Sequence, residues 1–192
     1  MGRGVRGVRG LVALAVPCLL GACLVTSTED FPDPAQTPPF LSATRASPAL
    51  NQLIIVDGTS PEPIDFSTYV RSEDQNAQLQ AHLVADWPLT TSALQITQIP
   101  PGTFADSRFL TLRWDPRSPT LTTGQPLGRG CHPITLVVSH SFNTFTSVPA
   151  SLDDADFLVW WVLVGDPTDK NFLATAELAS CPTTTQPLPA TN

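Results

Sequence analysis

Three histidines, a short run of carboxylates and a few cysteines are the side chains of this 192-residue chain best equipped for chemistry. A catalytic histidine needs an acid to orient it and a nucleophile to serve. His132 and His140 sit eight residues apart in one apolar-patterned stretch and share a face if that stretch is extended. At about 3.3 Å per residue they are then roughly 26 Å apart, too far to hold one metal ion. His82 falls on the polar face of another stretch, beside Gln78, Gln80 and Asp86, which predicts a solvent-facing ring. Ser139 precedes His140, but neighbours on a strand point to opposite faces and cannot exchange a proton directly. Asp153, Asp154 and Asp156 lack the glycine and the spaced ligands of a calcium loop. They read as a solvated turn that blocks edge pairing. The sequence has no G-x-S-x-G elbow, no HExxH and no glycine-rich phosphate loop. The expectation is no catalytic residue, no metal and no cofactor: a protein that is not an enzyme. The chemical alternative is an envelope hydrolase built on His82, His132 or His140. It takes an acidic partner and requires two of those groups within about 3 Å of each other or of a shared water, in a cleft.

The amino-terminal end carries a different signal. Arg3, Arg6 and Arg9 make a positive region, Leu11 to Leu20 an apolar one, and Gly21 and Ala22 lead to Cys23. This is the three-part layout of an export signal, and its apolar part is shorter than the roughly 20 residues needed to span a bilayer. Leu20-Gly21-Ala22-Cys23 resembles the lipobox of bacterial lipoproteins. That resemblance implies cleavage before Cys23, lipid on its thiol and acylation (palmitate, for example) of the new amine. It places the protein in the bacterial cell envelope. Leu24, rather than an aspartate, points to the outer membrane. Each buried CH₂ of such an anchor contributes roughly 0.8 kcal/mol.

Loss of Arg3, Arg6 and Arg9 with the leader takes the formal charge from −7 to −10. A chain this acidic has no electrostatic footprint for nucleic acid and gains no attraction to anionic headgroups, so membrane contact falls to the lipid on Cys23. Cys18 leaves with the leader. Cys131 and Cys181 remain, and an even pair in an oxidising compartment reads as a disulfide.

The elements that must position these groups read as strands. Residues 1–22 are the leader. Residues 23–48, with Pro32, Pro34, Pro38 and Pro39, read as an extended tether, and 182–192 as a disordered Thr/Pro tail. Within 49–181 short apolar runs recur between Pro, Gly, Asp and Asn. Leu53 to Val56 form one run. Ile64, Phe66, Thr68 and Val70 share a face. So do Leu79, Ala81, Leu83, Ala85 and Trp87. Leu94 and Ile96 mark the next strand, and Leu110, Leu112 and Trp114 the one after. Ile134, Leu136, Val138 and His140 share a face, Phe157 to Val164 is unbroken, and a last short element covers Phe172 to Leu178. Ser151 to Ala155 fit one helical turn. Seven or eight strands at this spacing predict an antiparallel β-sandwich similar to immunoglobulin-like domains. Cys131 shares its face with Thr135, Val137 and Ser139, opposite Ile134, Leu136 and Val138. Its bridge to Cys181 is therefore expected to staple the C-terminal segment to a strand end, outside the core between the sheets.

Trp160 and Trp161 are adjacent and face opposite ways in a run that is apolar on both sides. One face needs a cover, which the protein's own C-terminal segment or a partner supplies. An uncovered face at Trp160 and Trp161 is the candidate partner surface. The function expected is that of a lipid-anchored binding or structural accessory subunit of the envelope, with a protein or glycan partner. A carbohydrate-binding module using Trp87, Trp114, Trp160 and Trp161 is the second reading. It needs those rings exposed.

Overall fold

The computed structural model describes residues 36–57, 61–89, 93–103, 106–120, 124–165 and 181. Eight strands appear among them. They are β1 (Phe40–Leu41), β2 (Leu53–Asp57), β3 (Ile64–Arg71), β4 (Leu79–Ala85), β5 (Ala93–Ile99), β6 (Arg108–Trp114), β7 (Gly130–Ser139) and β8 (Ala155–Gly165). Two sheets result, one ordered β1-β3-β6 and the other β2-β8-β7-β4-β5. The described residues form a two-sheet β-sandwich, the architecture that the strand spacing predicts. Among the described residues no helix is long and apolar enough to cross a membrane.

Period-two patterning builds the core. β3 and β6 pair antiparallel with Phe66 opposite Leu112 and Ile64 opposite Trp114. Phe66, Val70, Leu110, Leu112 and Trp114 are buried, while Asp65, Arg71, Phe109, Thr111 and Arg113 face out. The large sheet answers with Leu79, Leu83, Ile134, Leu136, Leu158 and Trp160. The Phe66 ring sits 5.0 Å from Trp160, edge to face, and 6.5 Å from Trp114. Three large rings thereby fill the gap between the sheets, in the geometry aromatic quadrupoles favour.

Three expectations are corrected. The sandwich is not wholly antiparallel, because β2 pairs parallel with β8, Leu53 against Trp161 through Asp57 against Gly165. Parallel neighbours need a long connection, and β2 and β8 are the first and last strands of their sheet. Ile96 was grouped with the apolar positions of its strand, yet it is half exposed on the outer face while Ile99 is buried. A bulge where Leu83 pairs Gln95 and Val84 pairs Ala93 skips Leu94 and resets the alternation. The extended tether does not reach residue 48. Phe40–Leu41 pairs with β3, a 3-10 turn follows at Ala43–Arg45, and Ser47 bridges Ser67. Carboxylates hold this stretch down. Asp74 accepts the Thr37 N–H at 3.0 Å, and Asp156 accepts the Leu41 N–H at 2.6 Å. Proline-rich composition predicts an unfolded segment only where nothing else satisfies its backbone. Residues 1–35, including Cys23, the element at 172–178 and the tail at 182–192 lie outside the described residues.

Cys131 and Cys181 are bonded, with their Cα atoms 5.5 Å apart. They pack with Leu163 and Leu53 in a small cluster separate from the main core. The bridge is thus a staple on the outer face of the large sheet, as the strand alternation implied.

Trp160→Ala is expected to cost about 3–5 kcal/mol in urea denaturation, the usual range for emptying a large aromatic from a core. Replacing both cysteines with alanine removes a loop closure spanning 50 residues. In the chain-entropy account that costs on the order of 4 kcal/mol, read as a lower denaturation midpoint.

Candidate functional site

Each histidine has a defined place in the fold. His140 follows the end of β7, and its side chain is 3% exposed. Its Nδ1–H donates to Asp154 at 2.6 Å, and Asp74 lies 3.3 Å from Nε2. His132 starts the same strand. Its Nδ1–H donates to Asp86 at 2.9 Å, and Nε2 lies 2.9 Å from the Gly128 carbonyl. Both nitrogens of His132 therefore face acceptors. The hydrogen bond to Asp86 is the main cause that raises its pKa above the ordinary histidine value, against the effect of burial. His132 has an acceptor at each ring nitrogen, whereas in His140 only Nδ1 is hydrogen-bonded and Nε2 is buried without a hydrogen-bond partner, with Asp74 3.3 Å away. The two histidines mark opposite ends of β7, as their spacing requires.

His82 overturns its solvent-facing expectation, being 4% exposed. The cover is the loop at 141–150, whose Phe142 ring stacks parallel on the imidazole at 3.6 Å. Ser147 Oγ lies 3.2 Å from Nδ1, and Nε2 is buried without a partner. Burial lowers the His82 pKa to about 4, so the ring is neutral near pH 7. A Ser–His contact exists here, but no acid orients the ring and Ser147 is itself buried. Of the acidic cluster only Asp153 is solvated as expected. Asp154, in the 3-10 turn Leu152–Asp154, is buried and accepts from the Ser139 hydroxyl, the His140 N–H and the His140 ring. Ser139 and His140 thus meet at one carboxylate and not each other. Asp156 holds β1, as described above. Desolvated carboxylates need such donors, and they find them here in structural roles. Among the described residues no group of three metal-ligating side chains converges.

The tryptophan surface is corrected as well. Trp160 is fully buried, and its Nε1–H donates to the Pro48 carbonyl at 2.6 Å. Trp114 is buried too. Neither can serve as a sugar platform. Trp161 is half-buried on the outer face of β8. Around it that face is covered by the protein itself. The Trp87 ring lies 4.9 Å from Phe157, and Leu163 is buried against the disulfide.

The aromatic that is displayed is one the sequence pattern did not single out. Phe145 is fully exposed, with φ at 64°. Left-handed backbone in a bulky non-glycine residue is an outlier that costs on the order of 1 kcal/mol. The surrounding turn enforces it. The Thr146 N–H donates to the Asn143 carbonyl at 3.1 Å, and the Asn143 N–H to the Val148 carbonyl at 2.9 Å. Asn143 Nδ2 donates to the Pro149 carbonyl at 3.3 Å, and the Ala150 N–H to the Ser141 carbonyl at 3.0 Å. Beneath the turn, the Phe142–His82 stack fixes the loop to β4. Phe145, Phe142, His82, Gln80 and Ile96 line a pocket of about 380 Å³. A rigid turn therefore presents one aromatic ring beside a hollow of mixed polar and apolar lining and the edge strand β5. The signal in the sequence was a lone Phe inside Asn143-Thr144-Phe145-Thr146, a polar turn with no apolar partner at strand spacing.

No family model matches the chain, and no curated protein matches it. The solved structures to which the chain shows similarity include two of note. One is the CARDB domain of a Pyrococcus furiosus protein in complex with di-metal ions, at 10% identity and a TM-score of 0.37, covering 67% of this chain and 90% of that one. The other is the complex of zinc 2-glycoprotein with prolactin inducible protein from human seminal plasma, at 10% identity and a TM-score of 0.37, covering 70% and 99%. Neither likeness transfers a ligand or a partner to this chain.

His82 and His132 give opposite pH signatures. The unfolded chain takes a proton on His82 near pH 6.5 that the folded chain refuses until about pH 4. Stability from this residue is complete above pH 6.5 and is lost as pH falls toward 4, by about 1–3 kcal/mol. His82→Gln should flatten that acidic limb in denaturation midpoints measured from pH 7 to 4. His132 is raised, so its contribution is complete below pH 6.5 and is lost as pH rises through its folded pKa. Asp86→Asn should remove that alkaline decline and leave the acidic limb in place.

Proposed function

We propose that this chain is a lipid-anchored binding subunit of the bacterial cell envelope. It is held at the outer membrane through Cys23 and grips a partner protein with Phe145 and the hollow beside it. The observation that carries the reading is Phe145, a bulky ring held in left-handed backbone and in full contact with water. Within the isolated chain the strain and the exposure have no compensation. A partner that buries the ring supplies one, since covering a phenylalanine contributes roughly 1.5–3 kcal/mol. Aromatic anchors of this kind dominate the energetics of protein interfaces. The Cys131–Cys181 bond fits an oxidising compartment, and the leader residues supply the route there. Contact, not turnover, is the mode of action we favour: His132 has acceptors at both ring nitrogens, His82 has no orienting acid, and the His140 ring is 3% exposed.

Cys23→Ser should move the protein from the membrane to the soluble fraction, and continued sedimentation with membrane defeats the anchor. Phe145→Gly relieves the left-handed strain and removes no intramolecular packing. It should therefore unfold at the same or a higher temperature while losing the species that the anchored wild type crosslinks in membranes. Recovery of the same crosslinked species at wild-type yield defeats the Phe145 reading and leaves the anchor untouched.

A further inference from the structure

The outer face of the small sheet carries a second site, built from arginines. The described residues hold six arginines, and four of them are engaged. Arg113 lies 3.9 Å from Asp65, and Arg117 pairs with Asp115 at 3.0 Å. Arg108 donates to the Pro100 carbonyl with Asp106 nearby, and Arg129 has a partner of its own. Arg45 and Arg71 stand apart. Neither lies within ion-pair distance of a carboxylate among the described residues, in a chain with 17 acidic residues against 10 basic ones. Among the described residues these two cations have no ion-pair partner, and the carboxylate nearest in sequence, Glu73, lines the adjoining hollow with Arg71 rather than the groove between them.

Both are held in place. The Arg45 guanidinium sits over the Tyr69 ring, 4.9 Å from its centroid. Tyr69 in turn packs on Phe109 at 5.2 Å. Arg71 spends its Nε–H on the Ser107 hydroxyl at 2.8 Å, which leaves both terminal nitrogens to bind something else. Between the two arginines runs a groove of about 240 Å³, lined also by Tyr69, Phe40 and the hydroxyls of Ser42, Thr44 and Ser107. No carboxylate lines it. Phe40 and Phe109 flank it with exposed rings, 58% and 63% accessible.

We propose that this groove binds an acidic glycan, with a uronate-type carboxylate forked between Arg45 and Arg71. Guanidinium matches carboxylate in a bidentate geometry that ammonium cannot reproduce. The three hydroxyls both donate and accept, which suits a ring rich in hydroxyl groups. The flat faces of Phe40 and Phe109 suit the apolar faces of sugar rings. The volume lies below the roughly 300–1000 Å³ of a drug-sized pocket, which is room for a single sugar residue at a time. A densely charged polyanion such as nucleic acid meets repulsion from the net −7 of the whole chain, whereas an isolated carboxylate meets two fixed cations. This site lies on the opposite sheet from Phe145 and does not rest on the reading of that loop.

The probe is an oligogalacturonate titrated calorimetrically into the full-length chain, with its fully methyl-esterified form as the neutral control. Binding should be saturable, weaken with added salt and fall at least tenfold on esterification. Arg45→Ala and Arg71→Ala should each weaken it about tenfold. Arg71→Lys should recover only part, because the charge returns without the fork. Arg117→Ala and Phe145→Gly should bind as wild type does. The proposal is overturned if the acidic oligosaccharide does not bind, if the ester binds equally, or if the two arginine variants bind as wild type. It is equally overturned if phosphatidylglycerol vesicles or oligothymidylate bind through Arg45 and Arg71 more tightly than the uronate.

Discussion

The indole N–H of Trp160 finds an acceptor in the core, whereas that of Trp114 is buried without one, and the Trp160 bond ties the N-terminal stretch to the sandwich. Its acceptor is the carbonyl of Pro48, 112 residues away in sequence. That bond draws the N-terminal stretch across the edge of the sandwich, where Phe40–Leu41 adds to the small sheet. The Trp160 ring meanwhile packs edge-on against Phe66 and joins the large sheet to the small one. One side chain thus closes the core and recruits the segment that carries Arg45. An unpaired buried donor costs about 1–3 kcal/mol, so the ring and the N-terminal segment are coupled. The Trp160 bond, the pairing of β1 with β3 and the Asp74 and Asp156 contacts together hold the segment that carries Arg45 beside the small sheet.

The groups with the greatest chemical potential are consumed by this architecture. Asp74 takes Thr37 and approaches His140, Asp154 takes Ser139 and His140, and Asp156 takes Leu41. Each carboxylate is immobilised where a strand end or an entering segment leaves donors unmatched. His82 shows the complementary device. It is a neutral ring used as a flat packing surface for Phe142, at the expense of an unpartnered Nε2. Histidine–aspartate proximity alone therefore does not mark catalysis. What matters is whether a ring nitrogen remains free to meet a substrate.

Much of the fold was legible because period two is a strong signal. The inward sets on β3, β4, β6 and β7 follow directly from alternation, as does the placement of Cys131 outside the core. Three things were not legible, each for a physical reason. A bulge in β5 turned Ile96 outward, and no local pattern announces a skipped residue. The 36–48 stretch reads as a tether, because its order comes from Asp74, Asp156 and Trp160, all distant in sequence. The carboxylates near 154 read as solvated because their donors belong to other strands and loops. The binding surfaces hid for a related reason. Phe145 is a single ring in a polar turn, and Arg45 and Arg71 become neighbours only when the N-terminal segment docks beside β3.

What remains after folding is the best guide to use. A folded chain satisfies its buried donors and compensates its charges wherever geometry permits. The exceptions on this molecule are therefore informative when they are rigid. Phe145 is locked into an unfavourable backbone by a bonded turn, so its exposure is not the drift of a loose loop. Arg45 and Arg71 are positioned by Tyr69 and Ser107, so their lack of an ion-pair partner among the described residues is not explained by free side-chain motion. Pre-positioning both groups in the free protein lowers the ordering cost that a ligand would otherwise meet on binding. The ring and the guanidinium pair lie on the outer faces of different sheets, with the aromatic core between them. With that separation, the protein contact and the glycan contact proposed above would use different residues and would not compete.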